Sequence, residues 1–324
     1  MANVLVTGAA GFIGSHLSER CLALGHSVLG IDSLCPYYDP ELKRANLSRI
    51  APGESWTFVE ADLADLDLQS ALDGVDVVFH LAAQPGVRAS WGGTFDAYVA
   101  ANVTALQRLL EAAKSAAVER FVFASSSSVY GDAERLPTSE ETPLQPISPY
   151  GATKALGEHL CRLYHRSAEL PVVMLRYFTV YGPRQRPDMA FNKLIRAALA
   201  REEIVIYGDG EQTRDFTFVE DVVDGTIAAA SRGPVGAVYN LGGGTRGSMN
   251  DVLEMIAELT GETLDVRRVS AQAGDARDTA ADTSRAREQL GFLPSRSLYE
   301  GLAEQVAWHT GEREPELPAL VLGS

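Results

Sequence analysis

The sequence predicts an α/β fold: a doubly wound parallel sheet with a smaller α+β lobe appended to it. Three observations predict this. Short apolar runs alternate with helical patterns as far as Tyr177, which requires parallel strands joined by helices packed on both faces. The first two runs are joined by a glycine-rich turn and a helix. Beyond Thr179 the alternation loosens into short interrupted elements.

Asn3-Val4-Leu5-Val6-Thr7 is the first strand. Gly8-Ala9-Ala10-Gly11-Phe12-Ile13-Gly14 follows at once, and Ile13, Leu17, Cys21 and Leu24 then recur at helical spacing until Gly25 stops them. A second run, Val28-Leu29-Gly30-Ile31, ends on Asp32. Strand, glycine turn, helix, strand and acid form a Rossmann-type dinucleotide unit. Gly8 permits the tight turn, Gly11 admits a pyrophosphate to the backbone N–H groups, and Gly14 lets the helix lie close to the strand. The helix N-terminus offers unpaired N–H groups and partial positive charge. Asp32 is placed to accept from both adenosine ribose hydroxyls and would repel a 2′-phosphate, so the expected cofactor is NAD. The spacing is G-x-x-G-x-x-G in place of G-x-G-x-x-G. A glycine-rich turn without a ligand is the competing reading, and five features in register argue against it.

The elements continue in order. A polar loop, Ser33 to Pro40, leads to a helix from Glu41 to Ile50. Trp56 to Asp62 alternates into a third strand, with Asp62 placed to accept from an adenine amino group. Leu66 to Leu72 is a short helix, and Val75 to Leu81 is a fourth strand followed by Ala82 and Ala83, small residues that leave room beside the sheet. Tyr98 to Ala117 reads as one long helix with Val99, Val103, Leu106 and Leu110 on one side. Phe121 to Ala124 is a fifth strand ending in four serines, Tyr150 to Ala168 a helix, and Val172 to Tyr177 a sixth strand. Met189 to Arg201, Met249 to Leu259 and Tyr299 to His309 read as helices, Ile204 to Tyr207 and Val238 to Leu241 as strands, and Phe216 to Ser231 as a strand running into a helix. The expected division gives residues 1–180 and 219–241 to the dinucleotide-binding domain. It gives 181–218 and 244–298 to a small α+β lobe expected to close over the carboxyl edge of the sheet, and 299–324 to a C-terminal helix with a loosely held tail.

Composition narrows the partners. With 46% hydrophobic and 22% charged residues, the 324-residue chain can bury a sizeable core. A formal net charge of −15 argues against nucleic acid and anionic membrane surfaces, so an anionic substrate must find a local basic pocket. Three cysteines, Cys21, Cys35 and Cys161, make no disulfide framework, which favours a reducing cytoplasm. No signal peptide is expected, since the first strand begins at Asn3, and no apolar run approaches the ~20 residues that a membrane span requires. The histidines show no metal-ligand spacing, so no metal is expected, and His80 is expected to pack within its strand.

Tyr150-Gly151-Ala152-Thr153-Lys154 sets a phenol and an ammonium at i and i+4, on one helix face. A free phenol has a pKa near 10. The Lys154 charge, with the positive nicotinamide ring, is expected to lower it toward the range that removes a proton from a sugar hydroxyl. Ser126, at a strand's carboxyl end, can orient the substrate oxygen. A solvated surface pair is the bland reading of Tyr-x-x-x-Lys, and its place behind a dinucleotide unit and a strand-end serine favours catalysis.

These residues resemble the extended short-chain dehydrogenase/reductase superfamily, in its nucleotide-sugar epimerase and dehydratase branch. The resemblance covers nearly the whole chain and rests on Thr7 to Gly14, Asp32, Asp62, His80 to Ala83, Ser125 to Gly131, Ser148 to Lys154 and Arg176 to Pro183. It implies Ser126, Tyr150 and Lys154 as the catalytic set. It implies tightly held NAD, contacted by Gly8, Gly11, Phe12, Ile13, Gly14, Asp32, Lys43, Asp62, Leu63, Leu81, Ala82, Ala83, Tyr150 and Lys154. For Lys43, a solvated helix lysine is the other reading. The stretches Tyr37 to Lys43, Phe178 to Pro183 and Arg186 to Ala190 are similar to those of UDP-glucuronate 4-epimerases. Most relatives carry Asn where Thr179 stands, and the glucuronate branch carries Thr.

The implied reaction is 4-epimerisation of UDP-glucuronate to UDP-galacturonate through a 4-keto intermediate, with hydride returned to the opposite face. Ser126, Ser127, Ser128, Thr179, Arg88 and Arg186 are the candidates around the sugar acid, since hydroxyl donors and a guanidinium fork suit a carboxylate. A surface ion pair is the alternative for each arginine. The resemblance implies Arg214, Asp275 and Arg277 at the diphosphate and uridine, Ile206 near uracil, and backbone contacts from Asn192, Lys193 and Leu194. A homodimer through a four-helix bundle is also implied. UDP-glucose 4-epimerase and UDP-glucuronate decarboxylase remain alternatives. A 4,6-dehydratase would carry an Asp-Glu pair in the strand-end segment that here reads Ser126-Ser127-Ser128, and a non-catalytic NAD sensor would often have lost Tyr150 or Lys154.

Overall fold

The computed structural model describes residues 1–50, 53–270 and 278–311. Its strands are β1 (Asn3–Thr7), β2 (Ser27–Asp32), β3 (Trp56–Glu60), β4 (Val77–His80), β5 (Arg120–Ser126), β6 (Val172–Tyr177), β7 (Thr179–Tyr181), β8 (Ile204–Tyr207), β9 (Thr213–Phe218), β10 (Val238–Leu241), β11 (Thr245–Ser248) and β12 (Val266–Val269). Its helices are α1 (Phe12–Ala23), α2 (Pro40–Arg49), α3 (Leu68–Ala71), α4 (Phe95–Val99), α5 (Ala105–Ser115), α6 (Pro149–Ala168), α7 (Ala190–Ala200), α8 (Val219–Arg232), α9 (Met249–Thr260), α10 (Ser284–Leu290) and α11 (Leu298–Thr310).

The large sheet runs β10-β6-β5-β4-β1-β2-β3, every neighbouring pair parallel. The order reverses between β1 and β4, and that crevice at the strands' carboxyl ends is where such sheets bind ligands. Helices cover both faces, so the strands are apolar on both sides. Val4, Val6, Val122 and Val173 pack beneath α1 and α8, while Leu5, Phe121, Val172 and Met174 pack beneath α5 and α6. This is the doubly wound fold that the alternation of elements predicts.

After β6 the chain leaves the sheet. β7 and β11 flank β9 in a three-stranded sheet, and β12 pairs with β8. The chain returns once, as α8 and β10. Sequence patterning missed β7, β11, β12 and α10. β7 has three residues, β12 is Val-Arg-Arg-Val, and β11 contains Gly247, so none offers a period to read.

The long helix expected over 98–117 is broken. A π-turn at Ala100–Thr104 separates α4 from α5 and adds a residue to the turn. The buried face is therefore Tyr98, Asn102, Leu106, Leu109 and Leu110, so Leu106 and Leu110 pack as expected while Val99 and Val103 are only half-buried. Asn102 explains the turn: its side chain accepts from Gln84 N at 2.7 Å and donates to Gln84 O and Thr153 Oγ1, each at 3.0 Å. The helix is thereby tied to the β4 exit loop and to α6. Among the described residues no helix is long and apolar enough to cross a membrane.

Candidate active site

One cleft of about 450 Å³ opens at the carboxyl ends of β1, β2 and β4. Every residue expected to contact the dinucleotide lines it, from Gly8 through Asp32, Lys43 and Asp62 to Ala83, Tyr150 and Lys154. The glycines make the cradle possible. A Cβ on Gly14 would collide with the Gly8 carbonyl oxygen, and one on Gly8, at φ +75°, would stand 2.8 Å from the Ala82 nitrogen. At the far end Asp32 is fixed by Ala10 N (3.1 Å) and Leu34 N (2.9 Å), with Lys43 Nζ 3.7 Å away. Lys43 is buried and donates to the Cys35 carbonyl, which removes the solvated reading of that residue. Asp62 accepts from Ala64 N at 2.8 Å. A tight glycine turn, a helix N-terminus and an acid at the next strand end fit NAD.

At the other end α6 begins with Ser148 as its N-cap, accepting from Gly151 N at 3.1 Å, and Pro149 in the first turn. This carries Tyr150 and Lys154 into the cleft. Strand alternation sorts the serines. Ser125 points away and donates to Glu158 at 2.7 Å, while Ser126 hydrogen-bonds the Tyr150 phenol. Burial pushes the Tyr150 phenol up, and the Ser126 hydrogen bond and the Arg186 charge pull it back. Lys154 differs from its expected role. Its Nζ donates to the Ala124 carbonyl at 2.8 Å, and burial lowers its pKa to about 8. In this structure the cation bearing on the phenol is Arg186, which lines the same cleft.

The residues expected around the sugar nucleotide are less concentrated. Ser127 and Ser128 form a tight turn after β5, with Ser128 Oγ 3.2 Å from Ser126 Oγ. Thr179, just past β6, starts β7 opposite Phe216. Arg88 stacks its guanidinium on the Tyr207 ring, 4.8 Å from the centroid. Ile206 is buried in the core, so its side chain is committed there and the half-buried Tyr207 is the exposed neighbour. Asn192 N and Lys193 N, expected as backbone contacts, are already taken: Asn192 N, an orphan amide of the first turn of α7, is met by the Gln185 side-chain Oε1 (2.9 Å), and Lys193 N makes the first helical hydrogen bond, to Met189 O (3.1 Å). Leu194 is buried beside them. Arg214 donates to Thr213 O at 3.0 Å on β9. Asp275 and Arg277 lie outside the described residues.

The sequence reading missed several lining residues. Cys35, Tyr37 and Tyr38 come from the loop after Asp32, and Ala97, Ala101 and Ala105 form a small-residue face where the helix passes the cleft. The alanines' i, i+4 spacing was a readable signal. His80 packs as expected, 2.8 Å from Thr7 Oγ1 and stacked on Phe123, with burial lowering its pKa to about 3. Among the described residues no group of three or more His, Cys, Asp or Glu could hold a metal ion.

A glycine cradle that ends at a half-buried serine and tyrosine and a buried lysine defines a dinucleotide-dependent enzyme. Residues 4–242 match the NAD dependent epimerase/dehydratase family, and the chain belongs to it; NAD is the cofactor of that family. The uncharacterized UDP-glucose epimerase YtcB of Bacillus subtilis (strain 168) is 47% identical over 307 residues, 94% of this chain and 97% of that protein. The UDP-glucuronate 4-epimerase of Thermodesulfobacterium geofontis is 38% identical over 314 residues, 95% of this chain and 96% of its own. Among solved structures, UDP-glucuronic acid 4-epimerase from Bacillus cereus in complex with UDP-glucuronic acid and NAD superposes with a TM-score of 0.93 at 42% identity, over 95% of this chain and 99% of that one.

Proposed function

We propose that this enzyme interconverts UDP-glucuronate and UDP-galacturonate by epimerisation at C4. The observation that carries the reading is Arg186, a guanidinium lining the same cleft as Tyr150 and acting electrostatically on its phenol. In a chain of net charge −15, a cation at that point is what a carboxylated sugar requires. The names of the Thermodesulfobacterium and Bacillus cereus relatives agree with it.

NAD, when bound, supplies reversible two-electron redox chemistry at the sugar carbon. Tyr150 removes the proton from the 4-hydroxyl and returns it, and Ser126 hydrogen-bonds the same oxygen. Lys154 shares this end of the cleft and completes the set. The 4-keto sugar is a β-keto acid, which loses carbon dioxide when its carboxylate bond aligns with the carbonyl π system. Ser127, Ser128, Thr179 and Arg186 hold the carboxylate out of that alignment. Arg214, with Asp275 and Arg277, meets the diphosphate and uridine. We assign the dinucleotide to residues 1–180 and 219–241, and the sugar nucleotide mainly to 181–218 and 244–298.

A neutral-sugar reading has one observation in its favour. Arg186 is already paired with Asp188, so its charge is partly balanced before any substrate arrives. The name of the Bacillus subtilis relative points the same way. Incubation with UDP-glucuronate and UDP-glucose in turn, with chromatography of the products, decides between them. UDP-galacturonate should dominate, and UDP-galactose formed alone overturns the reading.

A further inference from the structure

The Arg186 guanidinium does not face the cleft alone. Its Nε donates to Asp188 Oδ1 at 2.9 Å and its Nη2 to Oδ2 at 3.0 Å, a complete two-point fork. Tyr37, from the loop after β2, directs its hydroxyl at Asp188 Oδ2 at 3.4 Å. Three groups from two loops thus meet, and two of them, Arg186 and Tyr37, line the cleft with Tyr150. The segment that carries them is anchored elsewhere. Arg184 Nη2 donates to both carboxylate oxygens of Glu19 on α1, at 3.0 and 2.8 Å, and Gln185 Oε1 accepts from Asn192 N and Gln305 Nε2. A rigid backbone leaves side-chain exchange as the cheap motion.

We propose that Asp188 is an internal rival for the substrate's carboxylate, and that it sets how strongly the enzyme prefers acidic over neutral UDP-sugars. This rests on the acidic-sugar reading of the Arg186 site. The chemistry is competition for one fork. A guanidinium edge that carries two parallel hydrogen bonds to Asp188 cannot give the same edge to a second carboxylate. A carboxylated sugar must displace Asp188 or approach a cation that Asp188 has already balanced. A neutral sugar has no use for the fork and leaves the pair intact, so Asp188 keeps Arg186 satisfied in its absence. Asp188 therefore lowers the affinity for acidic sugars and permits neutral ones. It touches no reacting atom and acts through Arg186, as a positioning and specificity residue.

The test uses the holoenzyme, with Asp188→Asn and Asp188→Ser as two variants that cannot form the anionic fork. Both should raise the ratio of kcat/KM for UDP-glucuronate over UDP-glucose roughly tenfold, the worth of about one charged hydrogen bond. The gain should lie chiefly in KM. A second readout is the pH profile with UDP-glucose. Tyr150 faces Ser126 from β5, Tyr98 from α4, Lys154 from the next turn of α6, and Arg186 from the loop before α7; Asp188 is paired to Arg186, and Tyr37 and Tyr38 line the same cleft. Loss of the Asp188 charge leaves Arg186 unbalanced, so the limb that reports the phenol should move toward acid. A ratio that is unchanged or falls in both variants overturns the proposal, and a fall would mean that Asp188 holds Arg186 in place for the substrate. A wild-type enzyme inert to UDP-glucuronate sinks the acidic-sugar reading alone. In that event Asp188→Asn should still gain UDP-glucuronate binding by calorimetry, and no gain sinks this proposal as well.

Discussion

Lys154 Nζ donates to the carbonyl oxygen of Ala124, at 2.8 Å, two residues before the strand-end Ser126. The ammonium is buried, sits 5.2 Å from the Phe123 ring centre, and titrates near 8 where a free lysine titrates at 10.5. It is an expensive place to keep a charge, and a core hydrophobe would avoid that cost.

Lys154→Met should therefore be inactive and more stable. Below pH 8 the side chain is charged in both the folded and unfolded chains, so wild type carries the full desolvation penalty there. Between about 8 and 10.5 the folded form sheds its proton first, and wild-type stability rises relative to the variant. Urea denaturation should find the variant ahead by about 1–2 kcal/mol at pH 7, once the lost carbonyl hydrogen bond is discounted. The gap should narrow as pH climbs toward 10. A variant less stable than wild type at pH 7 would contradict the burial argument.

Tyr150→Phe removes the hydroxyl that meets Ser126 and keeps the ring, which lies edge-on to Tyr98 at 6.3 Å. Turnover should drop ~10²–10⁴-fold with UDP-sugar binding retained, the usual worth of a positioned acid–base group. Stopped assays and calorimetry measure the two halves, and wild-type turnover would remove Tyr150 from the chemistry.

Behind the serines lies a buried ion pair. Arg176 Nε and Nη2 meet Glu158 at 2.8 and 2.7 Å, Ser125 donates to the same carboxylate, and Arg176 Nη1 reaches the Tyr130 hydroxyl at 2.7 Å. Glu158→Gln leaves a buried guanidinium without its counter-charge. Stability should fall by about 3–5 kcal/mol, as for other broken buried pairs. Thermal unfolding measures this, and a shift within error would mean that the network is redundant.

Leu156 and Leu163 stand 45% and 56% exposed, two turns apart on α6. We propose that α5 and α6 pair with those of a second copy to form a four-helix bundle. The double variant Leu156→Asp, Leu163→Asp should halve the mass seen by light scattering at micromolar concentration. A wild-type monomer in the same experiment would refute the pairing.

The large sheet was legible because most of its strands are unbroken apolar runs that alternate with helical patterns. Register carried the cofactor cleft with it: once Gly8, Asp32 and Asp62 sit at the ends of parallel neighbours, the cleft between them follows. Other features depend on contacts distant in sequence. The π-turn answers to Asn102 meeting Gln84 and Thr153. The inward commitment of Ile206 depends on β8 packing against α7. The fork of Arg186 onto Asp188, only two residues on, was present in the sequence as a pattern, but charge spacing alone does not say that a loop closes on itself.

Arg186→Ala puts the acid-sugar site to its most direct test. The guanidinium lines the cleft beside Tyr150, and a fork to a carboxylate is worth about 1.5–3 kcal/mol, as hydrogen bonds to charged groups are. Its loss should weaken UDP-glucuronate use roughly ten- to a hundredfold, since 1.4 kcal/mol is tenfold. The variant also leaves Asp188 without its cation, and that anion repels the sugar's carboxylate further. The double variant Arg186→Ala, Asp188→Ala separates these contributions and should recover part of the loss. UDP-glucose has no carboxylate, so its use should fall much less, through the weaker electrostatic support of the Tyr150 phenolate alone. A freed carboxylate samples the decarboxylating alignment more often, so UDP-pentose should appear by mass spectrometry beside UDP-galacturonate. Equal losses on both substrates with no pentose would make Arg186 a structural residue, and recognition of the acid would have to come from the serine turn and Thr179 instead.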